Sequence, residues 1–156
     1  MHHGSQQHHT AMSHHQETMD KVFEDYFAIQ SSLAADSMES VSAKAKAMAE
    51  VIDSLQGESM KCCGRGHESG MHALMSDMGA AAGSLAEQKD IDSARREFGK
   101  LSEKLVEYRK SYGKNQLEEV HVFVCDMAKQ VWLQDSEELR NPYYGSAMLT
   151  CGRRVQ

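Results

Sequence analysis

One proline stands in the whole chain, Pro142, and the long stretch before it is written in steps of three and four. Proline ends helices because it lacks an N–H and its ring collides with the preceding turn, so a chain nearly without it is free to build long ones. The apolar residues use that freedom four times. Met19, Val22, Phe23, Tyr26, Phe27 and Leu33, with Gln30, fall on one stripe of a helix starting at Glu17. Met38, Val41, Ala45, Met48, Ile52 and Leu55 make a second stripe, and Leu74, Met75, Met78, Ala82 and Leu85 a third, within 71–88. Ile91, Ala94, Phe98, Leu101, Leu105, Tyr108 and Tyr112 make the fourth and cleanest. Such spacing buries one face of each helix.

The punctuation agrees with this reading. Asp36 or Ser37 is the expected N-cap of the second helix, with Glu39 completing a partial capping box, and Gly57 its expected end. Residues 57–70, "GESMKCCGRGHESG", read as a loop. Asp90 caps the fourth helix and Gly113 stops it. Four amphipathic helices on short or moderate connections predict a mainly α fold, an antiparallel four-helix bundle. With 156 residues the chain predicts one domain, 17–156, large enough for a real core.

The last forty residues leave the helical period. "EEVHVFVCDM" alternates, with Val120, Val122 and Val124 on one strand face and His121, Phe123, Cys125 and Met127 on the other. The valines are expected to pack on the helices. "QVWLQ" predicts a short partner strand, and "DSEELRNPYYG" a helical turn followed by a loop, since a residue before proline avoids the helical region. "SAMLTCG" predicts a short extended return with a turn or bulge near Gly152. The helices thus carry a small C-terminal β and loop subdomain, 119–152.

Composition matters for its sulfur and imidazole: 11 methionines, 9 histidines and 4 cysteines. Residues 1–16 have no charged side chain beyond imidazole and little to bury, and predict a disordered tail in which His-His recurs at positions 2, 8 and 14. That tail reads either as an expression tag or as a native metal-scavenging segment. Four cysteines do not make a disulfide scaffold and match no zinc-finger spacing.

Two sulfur clusters follow. In 119–152, Cys125 precedes Met127 by two residues and Met148 precedes Cys151 by three. Converging thiolates and thioethers would make a site for soft Cu(I) or Ag(I), whereas zinc is more often given Cys and His without Met. His121 is either a further ligand or a solvent-facing strand residue. The competing reading of the same spacing is a Cys125–Cys151 disulfide closing a C-terminal flap, with Met127 and Met148 as core filler. The second cluster is Met60, Cys62, Cys63, His67, Met71, His72 and Met75. Adjacent cysteines pair with each other only under strain, so Cys62 and Cys63 point to metal or redox chemistry, with His67 or Met60 as helpers. Met71, Met75 and Met78 also fit the apolar stripe of the third helix.

A net charge of −6 with no basic block argues against nucleic acid. No apolar run approaches the ~20 residues of a membrane span. There is no C-x-x-C, no H-E-x-x-H and no serine elbow, and the glycines of "CGRGHESG" follow no strand and precede no P-loop lysine, so no enzyme is predicted.

"ARREFGKLSEKL", "CDM", "VWLQ" and "NPYYGSAMLTCG" together resemble a bacterial envelope domain of unknown function. That domain occurs alone or fused to periplasmic adaptor subunits of copper/silver efflux pumps of the resistance-nodulation-division type. Its pattern of Cys-Pro-Met, Trp-Leu and Asn-Pro-Tyr-Phe/Tyr-Gly, then Met and Cys-Gly, falls here on Cys125, Met127, Trp132, Asn141, Pro142, Tyr143, Gly145, Met148 and Cys151. The resemblance runs from about Met19 to Gly152.

It implies a periplasmic protein that holds Cu(I), or Ag(I), at Cys125, Met127, Met148 and Cys151. Trp132 would lie near the ion, Asn141, Pro142 and Tyr143 would shape the loop, and the expected partner is an efflux adaptor or another periplasmic copper protein. The runner-up is a structural adaptor module pinned by the disulfide. Met1 leads straight into "HHGSQQHHTAMSHHQ" without a secretory signal, so an envelope location predicts a leader missing from this chain. The sequence departs from the pattern at Asp126, where the family has proline; an acid beside the thiolate is expected to raise its pKa and weaken binding.

Overall fold

The computed structural model describes residues 5–62, 68–113 and 119–155, with only the backbone of 5–13, 58–62, 68 and 69 described. Among the described residues are four α-helices, α1 (Ser5–Ala34), α2 (Val41–Cys62), α3 (Glu68–Ala86) and α4 (Ile91–Tyr112), then β1 (His121–Cys125), β2 (Gln130–Gln134) and the two-residue β3 (Arg153–Arg154). Each helix packs on the next in the chain, and α4 also carries β2, which touches α1 as well. The expected stripes form the core: Met19, Val22, Tyr26, Met48, Ile52, Met78, Leu85, Phe98, Leu101 and Leu105 are all buried. Ile29 is buried on α1, where the sequence pointed to the half-buried Phe27.

α4 follows its punctuation. Asp90 has extended backbone and its carboxylate accepts the Ser93 N–H at 2.9 Å, a bond that, with the Ser93 hydroxyl, holds its carboxyl below the usual range. Gly113 closes the far end by donating to the Arg109 carbonyl.

Elsewhere the boundaries move. α1 begins at Ser5, inside the segment expected to be a disordered tail. Nothing from Ser5 to Ala34 breaks a helix, so the packed part propagates backward. α2 is not capped by Asp36 or Ser37 but begins at Val41, and it runs through Gly57 to Cys62, where a loop was expected. A lone helical glycine costs only about 1 kcal/mol, too little to stop a helix held by its packed face.

The sheet is antiparallel in the order β2-β1-β3. Cross-strand partners put Cys125 opposite Gln130, Phe123 opposite Trp132 and His121 opposite Gln134. Phe123 stacks on Trp132 with centroids 5.5 Å apart, Trp132 meets Tyr143 edge-on, and Tyr143 faces Phe98 of α4. The face expected to point away from the helices is therefore tied to them as well, because the return loop folds between, while Val120 and Val122 of the other face are buried in the same core. Residues 135–138 bend without forming the expected helical turn, for the Gln134 side-chain amide donates to the Ser136 and Glu138 carbonyls and holds the chain there.

Candidate functional site

Asn141 organises the return segment. It is fully buried, and its side-chain carbonyl accepts from the N–H of Tyr143 at 2.8 Å and of Tyr144 at 3.3 Å. Its amide NH2 donates to the Cys151 carbonyl at 2.6 Å, and its own backbone N–H donates to the Leu149 carbonyl at 2.7 Å. Asparagine suits the position because it offers two donors and an acceptor on a short arm. The proline that follows keeps Asn141 out of helix and frees those groups. The chain then tightens into a 3-10 turn at Gly145–Ala147, and Cys151 donates its N–H to the Met148 carbonyl at 3.0 Å.

Gly152 completes the approach. Its φ of +147 is one that residues with a side chain rarely adopt, and a Cβ there would lie 2.9 Å from both the Val124 carbonyl oxygen and Trp132 Cη2. Only bare backbone lets the chain pass this close to β1, which it then joins as β3, with Arg153 opposite Val124. The turn expected near Gly152 is present.

The result is a pair of free thiols. Cys125 closes β1 with none of its surface exposed, and its sulfur accepts the Ala128 N–H at 3.4 Å. Cys151 is half-buried and lies beside the end of β1, since Gly152 passes against the Val124 carbonyl and Arg153 pairs with Val124. Its pKa is pushed up by lost hydration, then by the Cys125 sulfur, and last by Asp126. Of these causes Asp126 is the smallest. Asp126 is in turn paired with Arg153 at 3.2 Å on the exposed rim.

The other predicted ligands are distributed unequally. Met148 is half-buried one short turn before Cys151. Met127 does not share a strand face with Cys125: β1 ends at Cys125, and Met127 lies in the hairpin turn, 62% exposed. His121 is not at the thiol pair. It stands at the other end of β1, roughly 13 Å away at about 3.3 Å per residue, with its ring edge-on to Phe123. Trp132 is wholly buried, donating to the Gln134 side chain at 3.2 Å, and its ring edge reaches Gly152.

Cys63 and His67 lie outside the described residues, and of Cys62 only the backbone, at the end of α2, is described. Met75 and Met78 are core, and Met71 packs against it. Among the described residues, no three His, Cys, Asp or Glu side chains gather as a metal group. Any ion at the thiol pair would take the two thiols and thioether help, a donor set matching soft monovalent ions and poor for hard ones.

Sequence reasoning missed how the segment is anchored. Asp36, expected as a cap, accepts from the Ser146 N–H and hydroxyl and from Arg95 at 2.8 Å. Arg95 also donates to the Pro142 carbonyl at 2.8 Å and the Leu33 carbonyl at 2.9 Å. Gly145, at φ +57, leaves the room that Asp36 and Arg95 occupy. Nothing local signals a contact between positions so far apart. The buried Gln30, three residues from Leu33 on the stripe, was a visible signal: a polar group there needs a partner, and it has Gln134 and the Arg140 carbonyl.

A family described as "Protein of unknown function (DUF3347)" matches residues 22–117. The chain belongs to this family. The match covers α1 from Val22 through α4 and ends before the thiol-bearing segment. No curated protein and no solved structure matches the chain. No helix among the described residues is long and apolar enough to cross a membrane.

Proposed function

We propose that this protein binds Cu(I), and with it Ag(I), at the Cys125–Cys151 pair, for sequestration, delivery or efflux-linked resistance in the periplasm. One observation carries the reading: two free cysteines far apart in sequence become neighbours where the segment through Gly152 docks against the end of β1. Paired thiols suit a soft ion of low coordination number. Each loses its proton on binding, so uptake releases protons. Under this proposal Met148, on the turn that presents Cys151, adds a thioether. In this reading the helices form an antiparallel bundle that serves as scaffold, and the Asn141 loop holds the donors in place. The periplasmic location and a partner among efflux adaptors or periplasmic copper proteins rest on the resemblance of the C-terminal motif.

The same proximity favours a second reading, a Cys125–Cys151 disulfide pinning a segment that docks a pump component without metal. Anaerobic titration of reduced protein with Cu(I) against a competing chelator separates the two. Expected is one tight site in the wild type, lost in both Cys125→Ser and Cys151→Ser. If the reduced protein does not compete for the ion, and both thiols resist alkylation until a reductant is added, the disulfide reading stands instead.

A further inference from the structure

We infer that Met127 is the entry ligand of the thiol pair, a thioether that meets a soft ion first and hands it inward without staying bound. The inference rests on the reading of the pair as a Cu(I) and Ag(I) site.

The hairpin turn that follows Cys125 wraps back on it, since Ala128, two residues beyond Asp126, sends its N–H to the Cys125 sulfur. Met127 sits immediately before Ala128 on the outside of that turn. Cys125 has no exposed surface and Cys151 is half-buried, so the donors most fit to retain an ion are those least able to meet one. Among the described residues, only Met127, Tyr112 and Val155 are exposed large apolar side chains, and Met127 is the most exposed of them.

A single exposed methionine needs no packing reason, but its place on the turn that wraps the buried Cys125 thiol gives its ligand chemistry a use. The Met127 thioether carries no proton, so it binds a soft ion without first losing one, and its unbranched stem sweeps a wide arc. The charged rim is already used, Asp126 being paired with Arg153.

The transfer is ligand exchange with no change in oxidation state. The ion leaves a donor of its carrier for Met127 Sδ. Cys125 Sγ then displaces that thioether, and the thiol proton passes to solvent as the sulfur–metal bond forms. Cys151 follows in the same way, and Met127 is again open to solvent.

The test combines rate, equilibrium and spectroscopy on the reduced full chain. Stopped-flow transfer from a colorimetric Cu(I) chelate should slow by about tenfold in Met127→Leu, while equilibrium affinity stays within about threefold of wild type. With methionine methyl groups labelled by carbon-13, the Met127 resonance should still shift on adding Ag(I) to the Cys125→Ser/Cys151→Ser double variant. An unchanged transfer rate in Met127→Leu, or a silent Met127 resonance, overturns the inference. So does an affinity loss expressed wholly in faster release, which would make Met127 a permanent ligand. Failure of the underlying reading looks different: the wild type would hold Cu(I) no more tightly than the double serine variant.

Discussion

Buried and turned into its own loop, the Asn141 side chain satisfies two backbone N–H groups at one end and the Cys151 carbonyl at the other. Asn141→Ala leaves those groups without partners; such a loss costs about 1–3 kcal/mol where the group is fully buried, as at Tyr143, and less where water can reach it, as at the half-buried Cys151. The variant should lose about 2–4 kcal/mol in urea unfolding, within the range of the more damaging single substitutions. Asn141→Asp is the sharper probe. It keeps the acceptor for Tyr143 and Tyr144 but sets a carboxylate oxygen, in place of the amide donor, against the Cys151 carbonyl. It should loosen the thiol pair, read as faster alkylation of Cys125. Gly152→Ala should loosen the pair by another route, its new methyl meeting the Val124 carbonyl and the Trp132 ring. If Cys125 alkylates at the wild-type rate in both variants, neither residue holds Cys151 against it.

At the scale of elements, how much of this could be read in advance depended on whether a signal was answered locally. α4 was legible from end to end because Asp90 is satisfied three residues away and Gly113 four residues back. The core stripes were legible for the same reason, a helix face being a property of near neighbours in sequence. The start of α2 was not. Asp36 looks like a cap, yet its carboxylate is spent on Ser146 and Arg95. The burial of both faces of β1 was also hidden: the valine face joins the core as expected, and Tyr143, beyond the hairpin, ties the Phe123 face to it as well. Of the candidate site, the two cysteines and the turn at Gly152 were legible from the mirrored motif. The displacement of Met127 and His121 was not, since it depends on where β1 ends.

The Asp36 contact makes its own prediction. Its carboxyl is held below the usual 3.8, first by the Ser146 hydroxyl, then by Arg95 and the Ser146 N–H. A carboxylate depressed in the folded state contributes stability that is complete above its unfolded pKa and is lost as pH falls through the lower folded value. The link between the α1–α2 connection and the Gly145 turn should therefore weaken only in acid below 3.8. Asp36→Asn should flatten that part of the stability–pH profile. Unchanged acid sensitivity in the variant would mean the contact does not form in solution.

Over the whole molecule, helices and sheet are joined through a few polar contacts buried among aromatic rings, and Tyr26 of α1 is the central one. Its ring stacks on Phe98 of α4 at 4.8 Å, and its hydroxyl, fully buried, lies 2.7 Å from the Ser102 hydroxyl and accepts the Leu133 N–H at 3.0 Å. Leu133 lies on β2, an outer strand of the sheet, so this phenol occupies a backbone group that would otherwise face an apolar interior. Burial raises the Tyr26 pKa well above its ordinary value, so the group stays neutral. Tyr26→Phe preserves the ring and its stacking but strands the Leu133 N–H and the Ser102 hydroxyl, at a cost of about 1–3 kcal/mol. A sheet integral to the core should bring the whole protein down in one urea transition at a lower midpoint, with helix signal and Trp132 fluorescence still coincident. A sheet merely leaning on the helices would separate, the Trp132 signal moving to lower urea while the helical signal stays put. The first outcome is expected, because Trp132 has no exposed surface and reaches α4 through Tyr143 and Phe98, so the thiol pair is held only as firmly as the helices beneath it.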